Sequence, residues 1–391
     1  MHNFDREIIR KGTKCAKFDG MGKLDEYRGL SVIPMWVADM DFEVDQSIHE
    51  AILKRAKHGI YGYAGAFEEL FEAVSAWMER RHNVNIKIDD LVFSPSVVVS
   101  LNLLIRAFTK KGDKILIQSP VYHQFYNVIE KNERQISINK LLNNNGKYEI
   151  DFEDFDKKAK SAKMFILCNP HNPVGRAWSE HELEKMVSIC KKNKVTIVSD
   201  EIHMDFVFSG HKHHSLLKMY PHPEEEIVVC TSPSKTFNLA GLQTSFVMTK
   251  NKSILAKFNK ELDQVGLNAP NVFGIEATIA AYTCAELWVD LLRSYIEKNY
   301  DYTVKYIRNN IPEIDVIQSE STFLIWLDCR RLQEKIKKNI QEYFLEESAV
   351  LFNDGETFGE NGKGYLRMNI GCPLSKIEEA LERIEAMVKR M

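Results

Sequence analysis

The chain has 391 residues, of which 44% are hydrophobic, 27% charged and 10% aromatic. At about 150 residues per domain, this length predicts two or three domains with sizeable cores, and the composition excludes disordered, collagen-like and small disulfide-stabilised proteins. The 52 basic and 55 acidic side chains nearly cancel to a net charge of -3, so no overall field attracts nucleic acid or an anionic membrane. We therefore expect an enzyme that acts on small molecules.

The cysteines and the lack of long apolar stretches indicate a cellular compartment. Seven cysteines are scattered along the chain with no Cys-x-x-Cys pair: Cys15, Cys168, Cys190, Cys230, Cys284, Cys329 and Cys372. This distribution is typical of reduced thiols, and we expect neither a disulfide bond nor a zinc site. The amino terminus, MHNFDREIIRKG, is charged, and no apolar stretch approaches the roughly 18 residues that a membrane span requires. These features predict a soluble cytoplasmic protein with neither nucleic acid nor membrane as a partner.

The first part of the chain predicts a sheet domain. Residues 1–48 contain Pro34 and little periodicity, and we expect them to pack against a second, smaller domain. From about residue 90 to 250, short β-branched runs alternate with amphipathic segments, which is typical of a mainly parallel sheet with helices on both faces. The predicted strands are Lys114 to Ser119, Met164 to Asn169, Val195 to Asp200, Ile227 to Thr231 and Thr244 to Thr249. Between the second and third, Ser179-Glu-His-Glu182 is a capping box that predicts a helix of about four turns and a right-handed crossover.

The last third of the chain predicts a separate, smaller domain. Ala285 to Asn309 has the pattern of one long helix, followed by strands at Thr322 to Leu327 and Gly364 to Asn369 and by an amphipathic helix from Ser375. The predicted fold class is therefore α/β, with a three-layer αβα large domain around a mainly parallel sheet and a smaller α+β domain. The predicted units are an N-terminal arm at 1–48, the large domain at 49–285 and the small domain at 286–391.

Three polar motifs fall at the carboxyl ends of predicted strands, where open α/β sheets bind ligands. They are Cys168-Asn-Pro-His-Asn-Pro-Val-Gly175, Ser199-Asp-Glu-Ile-His203 and Ser232-Pro-Ser-Lys-Thr-Phe-Asn-Leu-Ala-Gly241. Together they supply an amide, a carboxylate and a lysine flanked by hydroxyls. This combination suits pyridoxal 5'-phosphate (PLP) catalysis, which needs a lysine for a Schiff base, a carboxylate for the pyridine nitrogen, and donors for the phosphate and the phenolic oxygen.

At these motifs the sequence resembles the fold-type I PLP enzymes of the aspartate aminotransferase superfamily (class I/II), along nearly the whole chain. Three further stretches, 34–42, 58–63 and 367–373, resemble the MalY/PatB-type cystathionine β-lyases. The resemblance implies a carbon–sulfur β-lyase that cleaves cystathionine or cystine-type substrates to a thiol, pyruvate and ammonia, as in methionine biosynthesis. Transamination differs only in the fate of the same carbanion, so an aminotransferase is the alternative. A regulatory or interaction protein that retains the PLP fold is a further alternative.

The resemblance also implies roles for residues that contact the ring of PLP. Lys235 forms the Schiff base and, once released, removes the Cα proton. Asp200 pairs with the pyridinium nitrogen, Asn172 and His203 contact the phenolic oxygen, and Tyr122 stacks on the ring. Each has a structural alternative, such as a strand-end cap for the aspartate or a core position for the tyrosine.

Further residues are implied at the phosphate and at the substrate. Phosphate contacts are expected from the backbone N–H groups of Val97 and Val98 and from the hydroxyls of Ser232 and Ser234. Tyr63 matches the tyrosine that reaches the phosphate of a neighbouring subunit, which implies a homodimer with shared active sites. Arg367 matches the arginine that binds the substrate α-carboxylate, and Trp36 either lines the substrate mouth or is buried in the arm.

Two positions depart from the family pattern, and one cluster suggests a metal. Gln243 stands where many relatives have a phosphate-binding arginine, and Ser96 stands where glycine is frequent, so we expect modest cofactor affinity. The histidines of His211-Lys-His-His214 are adjacent rather than one helical turn apart. We interpret that stretch as a solvated loop and expect no metal site.

Overall fold

The computed structural model describes residues 2–24, 26–27, 29–65 and 67–391. In chain order its strands are β1 (Glu26–Tyr27), β2 (Leu30–Ser31), β3 (Ile33–Pro34), β4 (Leu91–Ser94), β5 (Lys114–Ser119), β6 (Gln135–Lys140), β7 (Leu142–Asn144), β8 (Lys147–Glu149), β9 (Ala162–Cys168), β10 (Thr196–Asp200), β11 (Ile227–Thr231), β12 (Ser245–Met248), β13 (Asp315–Val316), β14 (Leu324–Asp328), β15 (Val350–Leu351), β16 (Asn353–Asp354) and β17 (Tyr365–Asn369). Its α-helices are α1 (Gln46–His58), α2 (Glu68–His82), α3 (Val97–Phe108), α4 (His123–Lys131), α5 (Phe152–Ala159), α6 (Glu180–Lys192), α7 (Leu216–Met219), α8 (Pro233–Thr236), α9 (Lys252–Gln264), α10 (Val272–Cys284), α11 (Glu286–Asn310), α12 (Arg330–Gln333), α13 (Ile340–Ser348) and α14 (Leu374–Val388).

The large sheet has seven strands in the order β4-β12-β11-β10-β9-β5-β6. Its pairs are parallel except where β12 runs antiparallel to β11 and β4. The central strands β10 and β11 are buried along their whole length, as expected for the centre of a parallel sheet covered on both faces, and β11 begins with the apolar run Ile227–Cys230. The predicted mainly parallel sheet is confirmed, and the predicted strands at Lys114 to Ser119 and Ile227 to Thr231 match exactly.

Helices cover both faces of this sheet and complete the predicted three layers. One face packs against α3, α4 and α9, through buried residues that include Leu104, Phe125 and Phe258. The other face packs against α2, α5 and α6, through buried residues that include Trp77, Phe155 and Met186. The core on this second face is continuous with that of the smaller domain.

The helix between β9 and β10 begins at the predicted capping box. The Ser179 hydroxyl accepts a hydrogen bond from the Glu182 N–H at 3.3 Å, and the Glu182 carboxylate accepts one from the Ser179 N–H at 2.8 Å. Two of the four unpaired N–H groups of the first turn are satisfied in this way. The buried side chains of α6 are the four apolar residues predicted from helical spacing, Leu183, Met186, Val187 and Cys190.

Replacing Ser179 with alanine is expected to lower the free energy of unfolding by about 1 kcal/mol, because the cap is lost while the buried face is unchanged. Urea unfolding of the wild type and the variant measures this difference. Ser179→Thr is the matched control, since it keeps a capping hydroxyl and should restore most of the loss. Equal stabilities for the alanine and threonine variants would contradict the role of this cap.

The smaller domain is built on an antiparallel sheet of four strands in the order β13-β14-β17-β16. The long helix α11, as well as α14, packs against it, close to the predicted positions. The N-terminal segment joins this domain because β3 pairs in parallel with β15. The predicted domain boundaries at 48/49 and 285/286 remain predictions.

Among the described residues, no single helix has the length and apolar composition to cross a membrane. The adjoining helices α10 and α11 meet that criterion only when taken together, and they are bent by 80° with respect to each other.

Candidate active site

A cavity of about 170 Å³ opens at the carboxyl ends of the central strands. Nine residues predicted for the site line it: Val97, Val98, Tyr122, Asn172, Asp200, His203, Ser232, Ser234 and Lys235. Since these residues come from five separate stretches of the chain, their convergence depends on the sheet order. A larger cavity of about 300 Å³ lies between residues 7–11 and helix α14, and no predicted site residue lines it.

Lys235 projects into the cavity from α8, a single helical turn. The hydroxyl of Ser232 caps this turn by accepting a hydrogen bond from the Ser234 N–H at 3.0 Å. The Lys235 Nζ donates to the carbonyl of Ala38 at 2.7 Å. Burial, helped by the charge of Arg367, lowers the pKa of Lys235 to about 8. A substantial neutral fraction near physiological pH suits this amine to nucleophilic attack and to proton transfer.

Asp200 ends β10 at the centre of the cavity floor. In register beside it stand two buried thiols, Cys168 on β9 and Cys230 on β11. The carboxylate accepts one hydrogen bond, from the Ile202 N–H at 3.2 Å, and burial raises the pKa of Asp200 to about 7. A buried carboxylate with so little compensation suits a cationic ligand group, such as a protonated ring nitrogen.

In the cofactor-free protein, Asp200 is expected to make unfolding easier as the pH rises from about 4 to 7. The folded carboxyl has a pKa of about 7 and the ordinary value is 3.8, so the folded state holds the extra proton in this window. Stability from this group is therefore greatest below pH 4 and is lost towards pH 7, by about 4 kcal/mol for a shift of this size. Urea unfolding at pH 5 and pH 7 measures this loss. Between these two pH values, the free energy of unfolding of Asp200→Asn should fall less than that of the wild type, or should rise.

The variant must be compared with the wild type, because His203 changes the stability with pH in the opposite direction to Asp200. Burial lowers its pKa to about 3, so its contribution to stability is lost as the pH falls from 6.5. The difference between wild type and Asp200→Asn removes this common contribution, and Asp301→Asn on the exposed surface serves as the matched control. An identical pH dependence for wild type and Asp200→Asn would contradict the raised pKa of Asp200.

His203 and Asn172 face the cavity from two different turns. The Nδ1 atom of His203 is buried and has no hydrogen-bond partner in the described part of the chain, which leaves it available to a ligand atom. Its low pKa keeps the imidazole neutral at physiological pH. The side-chain oxygen of Asn172 accepts a hydrogen bond from Arg367 at 3.2 Å, so the amide connects the cofactor side of the cavity with that arginine.

The expected phosphate end of the cavity consists of neutral donors. Val97 and Val98 form the first turn of α3, and the hydroxyl of Ser96 caps it by accepting from the Val99 N–H at 3.2 Å. Ser232 lines the cavity, but its hydroxyl donates to the Thr244 carbonyl at 2.5 Å and also accepts from the Ser234 N–H. These two bonds fix the start of the turn that carries Lys235. Gln243 also lines the cavity, at the position where we expected weaker neutralisation of a phosphate.

Arg367 lies on β17 beside this cavity and is buried, with no acidic partner among the described residues. Its guanidinium donates to Asn172, to the Trp36 carbonyl at 2.8 Å and to the side-chain oxygen of Asn353, while its Nε has no partner among the described residues. Burial lowers its pKa to about 10, which still leaves it protonated. An unneutralised buried cation with a free N–H is suited to bind a carboxylate.

Besides Arg367, two predicted residues lie outside the cavity lining. Tyr63 is fully exposed, and it does not line the cavity formed by the described residues of its own chain. Trp36 is half-buried, with its indole N–H donating to the Lys17 carbonyl at 3.1 Å. Its backbone carbonyl, rather than its ring, contacts Arg367. Both roles remain predictions.

Several functional contacts were missed by the sequence interpretation. Backbone carbonyls of the segment 36–42 hold Lys235 and Arg367, and the side chains of Asn238 and Asn369 hold this segment in place. Every residue has a backbone carbonyl, so the sequence does not show which carbonyls make these contacts. Asn238, however, lies within the lysine motif 232–241 and has a positive φ of 58°, a conformation in which asparagine is enriched.

The histidine cluster 211–214 is engaged in protein contacts. The His213 Nε2 lies 3.0 Å from a carboxylate oxygen of Glu201, and the backbone carbonyl of His214 accepts from Asn169. Over the described ranges, no group of three or more histidine, cysteine, aspartate or glutamate side chains could hold a metal ion.

Comparisons with known proteins agree with this geometry. The family model for aminotransferase class I and II matches residues 31–384. The chain belongs to the class I and II aminotransferase family. Among curated family relatives, it is 39% identical over 386 residues to cystathionine β-lyase PatB of Bacillus subtilis, covering 98% of this chain and 99% of that protein. It is 32% identical to protein MalY of Escherichia coli, covering 97% of each.

A solved structure within the family resembles the whole chain. Cystalysin from Treponema denticola, which contains a pyridoxal 5'-phosphate cofactor, superposes with a TM-score of 0.95 at 33% identity and covers 100% of this chain and 99% of its own. The predicted resemblance to fold-type I PLP enzymes of MalY/PatB type is therefore confirmed.

Proposed function

We propose that this protein is a PLP-dependent carbon–sulfur β-lyase that cleaves L-cystathionine or cystine-type amino acids to a thiol, pyruvate and ammonia. The observation that carries the proposal is the 39% identity to cystathionine β-lyase PatB over 98% of the chain. The site supports it, since Lys235, Asp200 and Asn172 line one cavity, and Arg367 lies beside the cavity and donates to Asn172.

The residues present fit PLP. The cofactor supplies an aldehyde for the lysine amine and a ring that accepts the electron pair of the Cα–H bond. Asp200 would hold the proton of the ring nitrogen by a charge-assisted hydrogen bond, and His203 and Asn172 would contact the phenolic oxygen. The N–H groups of Val97 and Val98, with the Ser234 hydroxyl, would hold the phosphate.

The substrate steps follow from two residues. Arg367 binds the α-carboxylate and so directs the Cα–H bond towards Lys235. The Lys235 amine takes the Cα proton, a Cα=Cβ bond forms, and the Cβ–S bond breaks with loss of the thiolate. Water then hydrolyses the 2-aminoacrylate that is left to pyruvate and ammonia.

A homodimer in the cytoplasm, with a role in methionine biosynthesis, belongs to the same proposal. Supporting the dimer, Tyr63 and the nearby Ile60, Tyr61 and Phe67 are all strongly exposed, and clustered exposed apolar side chains are typical of protein–protein contacts. Analytical ultracentrifugation should give twice the chain mass of 45.2 kDa. A species of the single-chain mass carrying a full complement of PLP would contradict the shared site.

An aminotransferase is the second candidate, because the matched family model carries that description. The deciding experiment is a visible spectrum of the purified protein, followed by an assay of pyruvate from L-cystathionine with no 2-oxo acid added. A band near ~420 nm together with pyruvate release supports the lyase. The band with product only after a 2-oxo acid is added indicates an aminotransferase. No band after addition of PLP would overturn the catalytic proposal and favour an interaction protein.

A further inference from the structure

A buried hydrogen-bonded chain leads from the surface to the residue next to Lys235. The His82 Nε2 lies 2.9 Å from one carboxylate oxygen of Asp205, and the Thr236 hydroxyl donates to the other oxygen at 2.6 Å. The side chains of His82 and Asp205 are 8% and 3% exposed, and Thr236 is buried as well. These three residues were not among those expected from the sequence to act at the site.

Asp205 is held as a charged group despite its burial. The pKa of Asp205 is lowered because its interactions with His82, Thr236 and Arg81 outweigh the effect of burial. A buried carboxylate in this state keeps its hydrogen-bond partners in fixed places, since losing one of them leaves a charge uncompensated. The threonine hydroxyl is therefore strongly fixed in position.

The turn that carries Lys235 depends on such external contacts. It has only four residues, Pro233–Thr236, which is too short to be stable by itself. The Ser232 cap fixes its beginning, and the bond from Thr236 to Asp205 fixes its end. Asp205 lies on the loop that follows Asp200 and carries the cavity residues Ile202 and His203, and there the Phe206 N–H donates to the His203 carbonyl at 3.0 Å. The bond thus connects the lysine turn with the loop that carries two other residues of the cavity.

We propose that Asp205 is a positioning residue. It is held by His82, and through Thr236 it fixes the position of Lys235 relative to Asp200 and His203. The inference rests on the proposed function only in that Lys235 is taken to be the residue that bonds to PLP. Loss of the Thr236 hydroxyl lets the lysine turn shift while every group that lines the cavity is retained.

The test compares Thr236→Val, which removes the hydroxyl at nearly constant shape, with Thr236→Ser, which keeps it. Three quantities are measured: the PLP dissociation constant of the cofactor-free protein by fluorescence titration, the pH midpoint of the visible absorbance change of the holoenzyme, and the Tm of the cofactor-free protein. Thr236→Val should weaken PLP binding by about 10-fold, the effect of one hydrogen bond to a charged group, and should shift the midpoint by about half a pH unit. Thr236→Ser should stay within about two-fold of wild type in affinity, with an unshifted midpoint.

The outcomes separate positioning from plain stabilisation. A lower Tm for Thr236→Val, with affinity and midpoint both unchanged, would overturn the proposal. If Thr236→Val does not fold, His82→Ala replaces it, because it weakens the hold on Asp205 from outside the cavity, and a shift in the same two quantities is again expected. Failure of the wild type to bind PLP would overturn the proposed function itself, whereas binding that Thr236→Val leaves unchanged overturns only the role of Asp205.

Discussion

Pyruvate release from L-cystathionine is expected to fall by about 10⁴-fold when Lys235 is replaced with alanine. The variant loses both the amine that bonds to the cofactor and the base that takes the Cα proton. No other amine lines the cavity, since the described lining residues include one lysine and no arginine. The fold should survive, because among the described residues the Lys235 side chain makes one hydrogen bond, to the Ala38 carbonyl.

Single-turnover and steady-state pyruvate assays measure this loss. Lys131→Ala at the exposed end of α4 is the matched control and should retain wild-type activity. Added primary amines such as methylamine should restore part of the activity of Lys235→Ala, since they can supply the missing proton acceptor in solution. Activity of Lys235→Ala within ten-fold of the wild type would show that the Cα proton goes to another group.

The cavity is electrostatically costly when no ligand is bound. Burial raises the pKa of Asp200 to about 7, and it lowers that of Lys235 to about 8 and that of Arg367 to about 10. Each of these shifts means that burial disfavours the charged form of the side chain. The proposed ligands would compensate two of these charges, with a ring nitrogen at Asp200 and a carboxylate at Arg367. The shifts therefore favour ligand binding, at the expense of the stability of the cofactor-free chain.

The sequence predicted the parts of this site that follow from strand ends. Asp200 ends the buried strand β10, the turn that carries Asn172 follows the apolar run of β9, and parallel strands bring their carboxyl ends together. The short strands β4 and β13 escaped prediction, since four and two residues give too little periodicity. Thr236 and Asp205 could not be paired from the sequence, because their bond joins residues 31 positions apart across the fold.

Substitution of Arg367 is expected to raise the KM for L-cystathionine more than it lowers kcat. Two charge-assisted hydrogen bonds to the α-carboxylate contribute about 3–5 kcal/mol, so Arg367→Ala should lower kcat/KM by about 10²- to 10⁴-fold. Arg367→Lys keeps the charge but loses the planar fork, and its loss should be about ten-fold smaller. Arg331→Lys in the same domain, with its side chain 55% exposed, is the control that should behave as wild type.

A carboxylate-free analogue of the substrate makes the test specific to this contact. The wild type should prefer L-cystathionine over its decarboxylated analogue by about the same factor that Arg367→Ala loses, and the variant should no longer distinguish the two. A retained preference in Arg367→Ala would place the carboxylate elsewhere. The same result would leave the buried guanidinium as a purely structural donor to Asn172, Asn353 and the Trp36 carbonyl. Such a role would be costly for stability, because the buried charge would stay uncompensated and the Nε would lack a partner among the described residues.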